Sequence, residues 1–176
     1  MVLWVLVINM DLKIILGKNI KYYRYKKGLT QEKLAEILDV SPNYIGRLER
    51  GQHSPSLEKI ENIAKTLDIQ AFKLFMEKEK YNLPNRVNLK GWGKMKLNKI
   101  FGNNLKYFRF KKKYTQEHLA ELTGMSVTYI SQLEAGMHSP SFEKIECLAE
   151  ILQVKAFEFY IERDFIVLPA RVDMKL

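Results

Sequence analysis

The chain is short of the residues that staple small proteins or thread them through membranes. Cys147 is the one cysteine in 176 residues, so no intrachain disulfide can form, which argues against a secreted, disulfide-held fold. That thiol and three histidines make no cluster of the spacing that zinc takes. Long apolar runs are also missing. The opening stretch MVLWVLVIN is too short to span a bilayer, and it lacks the basic leader and cleavage site of a signal peptide. No nucleophile–base arrangement, glycine-rich phosphate loop or metal-binding spacing stands in the sequence, which argues against an enzyme and against a cofactor. Acidic residues are the minority: 20 Asp+Glu against 29 Lys+Arg leave a net charge of +9. Such a balance suits an acidic partner, nucleic acid or an anionic membrane, and equally a merely soluble basic surface.

What the chain does have is a second copy of itself. Shifted by 85 residues, Gly17–Lys90 falls on Gly102–Lys175 without a gap, and half of the aligned positions are identical. A fixed internal period decides architecture before any single residue does. We divide the chain into an apolar extension (1–9), a first domain (10–81), a tail and linker (82–94), a second domain (95–166) and a C-terminal tail (167–176). Met10 aligns with Met95, so residues 1–9 stand outside the repeated unit, as either a misassigned start or an edge strand. The LPNRV (83–87) and LPARV (168–172) segments read as extended tails, since proline resists a helix interior.

Each unit reads as short amphipathic helices, so the expected fold class is all-α. In the first, Leu16, Ile20 and Tyr23 recur at helical spacing and predict a helix over Leu12–Lys27, ended by Gly28 in a left-handed cap. The matching residue in the second unit is Lys113, less suited to that geometry. Thr30 caps a second helix with Leu34, Ala35 and Leu38 inward, and Asp39 makes the turn that Gly124 makes in the other copy. Ser41 caps a third helix with Pro42 at its first position, Ile45 and Leu48 inward and Gly51 as its stop. Ser54-Pro55-Ser56 leads into a fourth, with Leu57, Ile60, Ile63, Ala64 and Leu67 on its apolar face. A fifth is expected around Ala71–Lys78. The second and third helices are separated by a turn of a few residues, the helix-turn-helix arrangement.

TQEKLAEILDVSPNYIGRLERG and TQEHLAELTGMSVTYISQLEAG resemble the phage repressor and Cro-type helix-turn-helix domains, also known as the xenobiotic response element family. Members read T-Q-E-x-L-A, a turn, S-x-x-x-I-x-x-[LIW]-E-x-G, then P-S-L-E, and both copies follow this almost throughout. The resemblance covers about 60 residues of each repeat and implies a five-helix bundle in each, sequence-specific binding of double-stranded DNA, transcriptional control of the repressor kind and a cytoplasmic, nucleoid-associated place. It also implies that Arg24 and Glu49, and their counterparts Arg109 and Glu134, form internal ion pairs rather than DNA contacts.

The residues support a site of that kind. A helix N-terminus has free N–H groups and a partial positive charge that suit a phosphate. Thr30 and Gln31, with Thr115 and Gln116, stand there; for the threonines capping alone is the plainer role. The third helix of the first unit offers Ser41, Pro42, Asn43 and Arg47, with Arg50 just beyond. The second offers Ser126, Val127, Thr128 and Gln132. Arg47 suits guanine, Gln132 adenine and Val127 a thymine methyl, while Asn43 suits adenine or a phosphate. A solvated helix face is the bland alternative. Tyr22, Tyr23, Tyr25, Tyr107, Phe108 and Phe110 interleave with basic residues; packing is favoured over base stacking. His53 and His138 read as loop residues, and Cys147 as inert.

The copies differ where DNA would be read: Arg47 against Gln132, Arg50 against Ala135. Residues 1–90 hold 16 basic and 10 acidic residues and residues 91–176 hold 13 and 10, nets of +6 and +3. The first head is therefore expected to bind DNA more strongly. The connection through Asn82–Gly93 reaches tens of Å when extended, and major-groove faces recur about every 34 Å. One chain is thus expected to span an asymmetric operator, with direct and inverted half-sites both open. A further homodimer through the tails or residues 1–9 stays open, as does a protein-interaction or antitoxin-type role in which one head binds a protein partner.

Overall fold

The computed structural model describes residues 11–77 and 96–162. The expectations for the 1–9 extension, the linker and both LPxRV tails fall outside them. The described residues are all-helical, with the same element order twice: α1 (Leu12–Lys26), α2 (Gln31–Ile37), α3 (Pro42–Glu49), α4 (Leu57–Thr66) and a 3-10 turn η1 (Ala71–Phe75), then α5 (Leu97–Lys111), α6 (Gln116–Thr123), α7 (Val127–Glu134), α8 (Phe142–Leu152) and η2 (Ala156–Tyr160).

Local chemistry explains most of the boundaries. The Thr30 and Ser41 hydroxyls accept from the N–H groups of Lys33 and Tyr44, each satisfying a donor that the first turn leaves orphaned. Thr115 and Ser126 do the same for His118 and Tyr129. The α1 helix stops as Gly28 turns left-handed at φ 68°, and Lys113 adopts nearly the same angle, φ 59°. The expected fifth helix is shorter and tighter than its periodicity suggests. Phe72 and Phe75 are buried three residues apart, a spacing that the 3-10 turn, with three residues per turn, lines up on one side.

The core is continuous across both repeats. Leu16, Ile20, Leu34, Ile45, Leu48 and Ile60 centre the first, and Phe101, Leu105, Leu119, Ile130, Leu133 and Ile145 the second. The α1 and α3 helices touch backbone to backbone. A Cβ on Gly17 would lie 2.4 Å from the Leu48 carbonyl oxygen, and one on Gly102 equally close to that of Leu133. Asn19 then clamps the end of the unit, its amide donating to the carbonyls of Leu74 and Met76 at 3.0 and 2.8 Å. Asn104 grips Phe159 and Ile161 in the same way. These asparagines and close-approach glycines went unmarked in the sequence, although both recur at the 85-residue shift.

Candidate nucleic-acid interface

The α2 and α3 helices are joined by four residues, and α6 and α7 by three, and a polar knot sets the angle between each pair. Arg24 of α1 donates from Nε to Glu49 Oε1 at 2.5 Å and from Nη2 to Oε2 at 3.0 Å. Both side chains are under 5% exposed, so the pair depends on its geometry to offset desolvation. The hydrogen bond to Glu49 raises the Arg24 pKa further above its usual range. Arg24 Nη1 also donates to the Leu29 carbonyl. Gln31, first residue of α2, completes the knot by donating from Nε2 to Glu49 Oε2 at 2.7 Å. Arg109, Glu134, Tyr114 and Gln116 repeat every bond. Gln31 and Gln116, expected at a phosphate, each place an amide N–H on the α3 or α7 carboxylate. They tie the start of one helix to the end of the next.

Beyond this knot, one face of each unit stays open. Ser41, Pro42, Asn43, Arg47 and Arg50 are exposed on or beside α3, and Ser126, Val127 and Thr128 on α7, with Gln132 half-buried. Arg50 does not extend freely: its Nε donates to Gln52 Oε1 at 2.9 Å, and its guanidinium lies 3.1 Å from where a Cβ on Gly46 would be. The second copy has Ser131 and Ala135 at these positions, so the small residue at 46 and the arginine at 50 occur together. Hydrogen bonds from its own backbone N–H and from Thr30 hold the Glu32 carboxyl below its usual pKa, and Glu117 is held likewise with Thr115. The N-terminal turns of α2 and α6 therefore already favour negative charge.

The interleaved aromatics divide. Tyr23, Tyr107 and Phe108 pack against the core, whereas Tyr25 is 62% exposed and Tyr22 43%. Packing was the favoured reading for all of them. The buried stripe of α1 runs through Ile20 and Arg24, which leaves positions 22 and 25 on its outer sides. Tyr25 instead lies beside the Arg24 guanidinium, 4.3 Å from ring centre to Cζ. His53 and His138 sit against Tyr44 and Tyr129 in their loops.

The fold and this face define a class, the DNA-binding helix-turn-helix regulators of transcription. Comparison with known families agrees: the Helix-turn-helix family model, of Cro/C1 type, matches residues 20–74 and again 105–159. The chain belongs to that family and carries its domain twice. Among its relatives, control protein C.SmaI of Serratia marcescens is 40% identical over 65 residues, 37% of this chain and 77% of that protein. The transcriptional regulator SinR of Bacillus subtilis is 31% identical over 81 residues, 46% of this chain and 72% of its own. The crystal structure of the restriction-modification controller protein C.AhdI of Aeromonas hydrophila aligns at 38% identity and a TM-score of 0.35, over 36% of this chain and 96% of the other. Among the described residues no helix is long and apolar enough to cross a membrane.

Proposed function

We propose that this protein is a transcriptional repressor whose two unequal heads read one operator in double-stranded DNA. The observation that carries the proposal is the exposed face that follows the knotted turn in each repeat. In the first head Ser41, Pro42, Asn43 and Arg47 approach bases and Arg50 a phosphate. In the second, Ser126, Val127, Thr128 and Gln132 approach bases. Thr30 and Gln31, with Thr115 and Gln116, orient the heads on the backbone. A bidentate arginine–guanine pair contributes about 1–3 kcal/mol of discrimination. Arg47→Ala is therefore expected to relax specificity at one operator position and leave the other half-site unchanged. Selection of sites by the full chain from a random duplex library, at defined salt, tests the proposal. A two-part asymmetric site supports it. A single half-site limits reading to one head, and no enrichment by folded protein rejects it.

A second reading rests on the second head. Met137 is 71% exposed, and Leu122 and Val127 are also open, which suits an apolar partner surface in an antitoxin-type regulator. In that case Arg47→Ala leaves partner capture unchanged, and substitution of Met137 abolishes it.

A further inference from the structure

We infer that the two repeats close on each other as an internal two-fold pair, so that the chain alone, as a monomer, reads an inverted operator with fixed polarity. This rests on the DNA-reading proposal above for its operator half only. The inter-repeat contacts are reciprocal. The Leu12 N–H, at the start of α1, donates to Glu146 Oε1 of α8 at 2.7 Å. The Leu97 N–H, at the start of α5, donates to Glu61 Oε1 of α4. Leu12 corresponds to Leu97, and Glu61 to Glu146, under the 85-residue shift. Each head thus gives the other a carboxylate at a helix N-terminus, where free N–H groups and the helix dipole favour it. Between these exchanged bonds, corresponding residues meet each other. Phe75 stacks on Tyr160 with ring centres 4.2 Å apart and planes within 9°, as residues beside a two-fold axis do.

Two copies arranged head to tail would bring unlike surfaces together and leave one of each unpaired. Contact of i with j and of j with i is the mark of an isologous, closed interface. The surface that two separate chains would share is therefore consumed inside one chain. The same relation carries α3 onto α7, so their half-sites run in opposite directions. The pair is also unequal. The Lys13–Glu143 bridge, 2.9 Å, belongs to one side only, because Asn98 stands at the position matching Lys13. With Arg47 and Arg50 in one head and Gln132 and Ala135 in the other, the operator can be occupied in a single orientation, which two identical chains could never impose.

The full chain tests this in two arms. Without DNA, light scattering coupled to size exclusion is expected to give one chain's mass. A two-chain species in which the first repeat of one chain pairs with the second of another overturns the closure. With the selected operator, titration is expected to saturate at one chain per duplex. Reversing one half-site, from inverted to direct, is expected to lower affinity roughly ten- to hundredfold, the scale of losing one half-site's base contacts. Hydroxyl-radical footprints are expected to lose protection at one end with Arg47→Ala and at the other with Gln132→Ala. Equal binding to direct sites, or loss at both ends with either variant, overturns the inference while leaving DNA reading intact. A monomer that binds no duplex overturns the operator half together with the DNA reading, and leaves only the internal pairing.

Discussion

Arg24 and Glu49 show how much one side-chain pair decides. Their carboxylate and guanidinium are almost fully buried, so removing the charge of one leaves the other stranded. Glu49→Gln is expected to cost about 3–5 kcal/mol, read as a lowered urea midpoint, since uncompensated buried charge is far dearer than a lost contact. Gly17 is as sensitive for a steric reason. With Leu48 O 2.4 Å from the position of an added Cβ, Gly17→Ala forces α1 off α3 and is expected to cost about 1–3 kcal/mol, typical of overpacking. The first of these residues was legible through family resemblance. The glycine was not, because nothing in a helical pattern announces that a backbone carbonyl from α3 will lie against that face. Gln31 was half legible: its place at the start of α2 could be read, but its bond to Glu49 joins residues that only the packed α1–α3 corner brings together.

At the scale of the element, helix starts were readable, and several helix ends put a non-glycine residue in the left-handed region, at Asp39, Asp68, Lys113 and Gln153. Lys113 holds φ 59° where the first repeat uses Gly28 at φ 68°. A left-handed backbone costs a non-glycine residue roughly 1–2 kcal/mol, offset in part by the greater freedom that glycine loses on folding. Lys113→Gly is therefore expected to stabilise the second repeat by about 0.5–1 kcal/mol, measured as a raised denaturant midpoint. The caps at Thr30, Ser41, Thr115 and Ser126 depend on bonds three residues apart, which is why the sequence displays them. The fifth element was over-long in that reading because the apolar run AFKLF looks alike for an α-helix and a 3-10 turn. In the tighter form Phe72, Leu74 and Phe75 are all buried.

The whole molecule is held by groups from both repeats, so its stability is expected to be shared. Phe75 contacts Tyr160 and lies 6.2 Å from Phe142. Truncation by Phe75→Ala is expected to cost about 3–5 kcal/mol, as large aromatic deletions do, and to split one calorimetric transition into two. Charge at the seam has its own signature. The hydrogen bond from Lys13, followed by the backbone and Ser141 bonds, lowers the Glu143 pKa from 4.5 to about 2. Because the folded value is depressed, the stability it adds is present above the usual carboxylate range and is lost as pH falls through about 2. A carboxyl titration by NMR is expected to show Glu143 ionised at pH 3.5. What the sequence determined by itself is most of what is local or repeated: the all-α class, the main helices with their caps and turns, the doubling of the unit and the family. An internal repeat carries no symmetry operator, however, and whether two like units stack head to tail or face to face depends on surfaces far apart in the chain. Only the tertiary structure, by setting Glu146 on Leu12 and Glu61 on Leu97, decided that they face each other. The physical reason is that those bonds exist only once both cores are built.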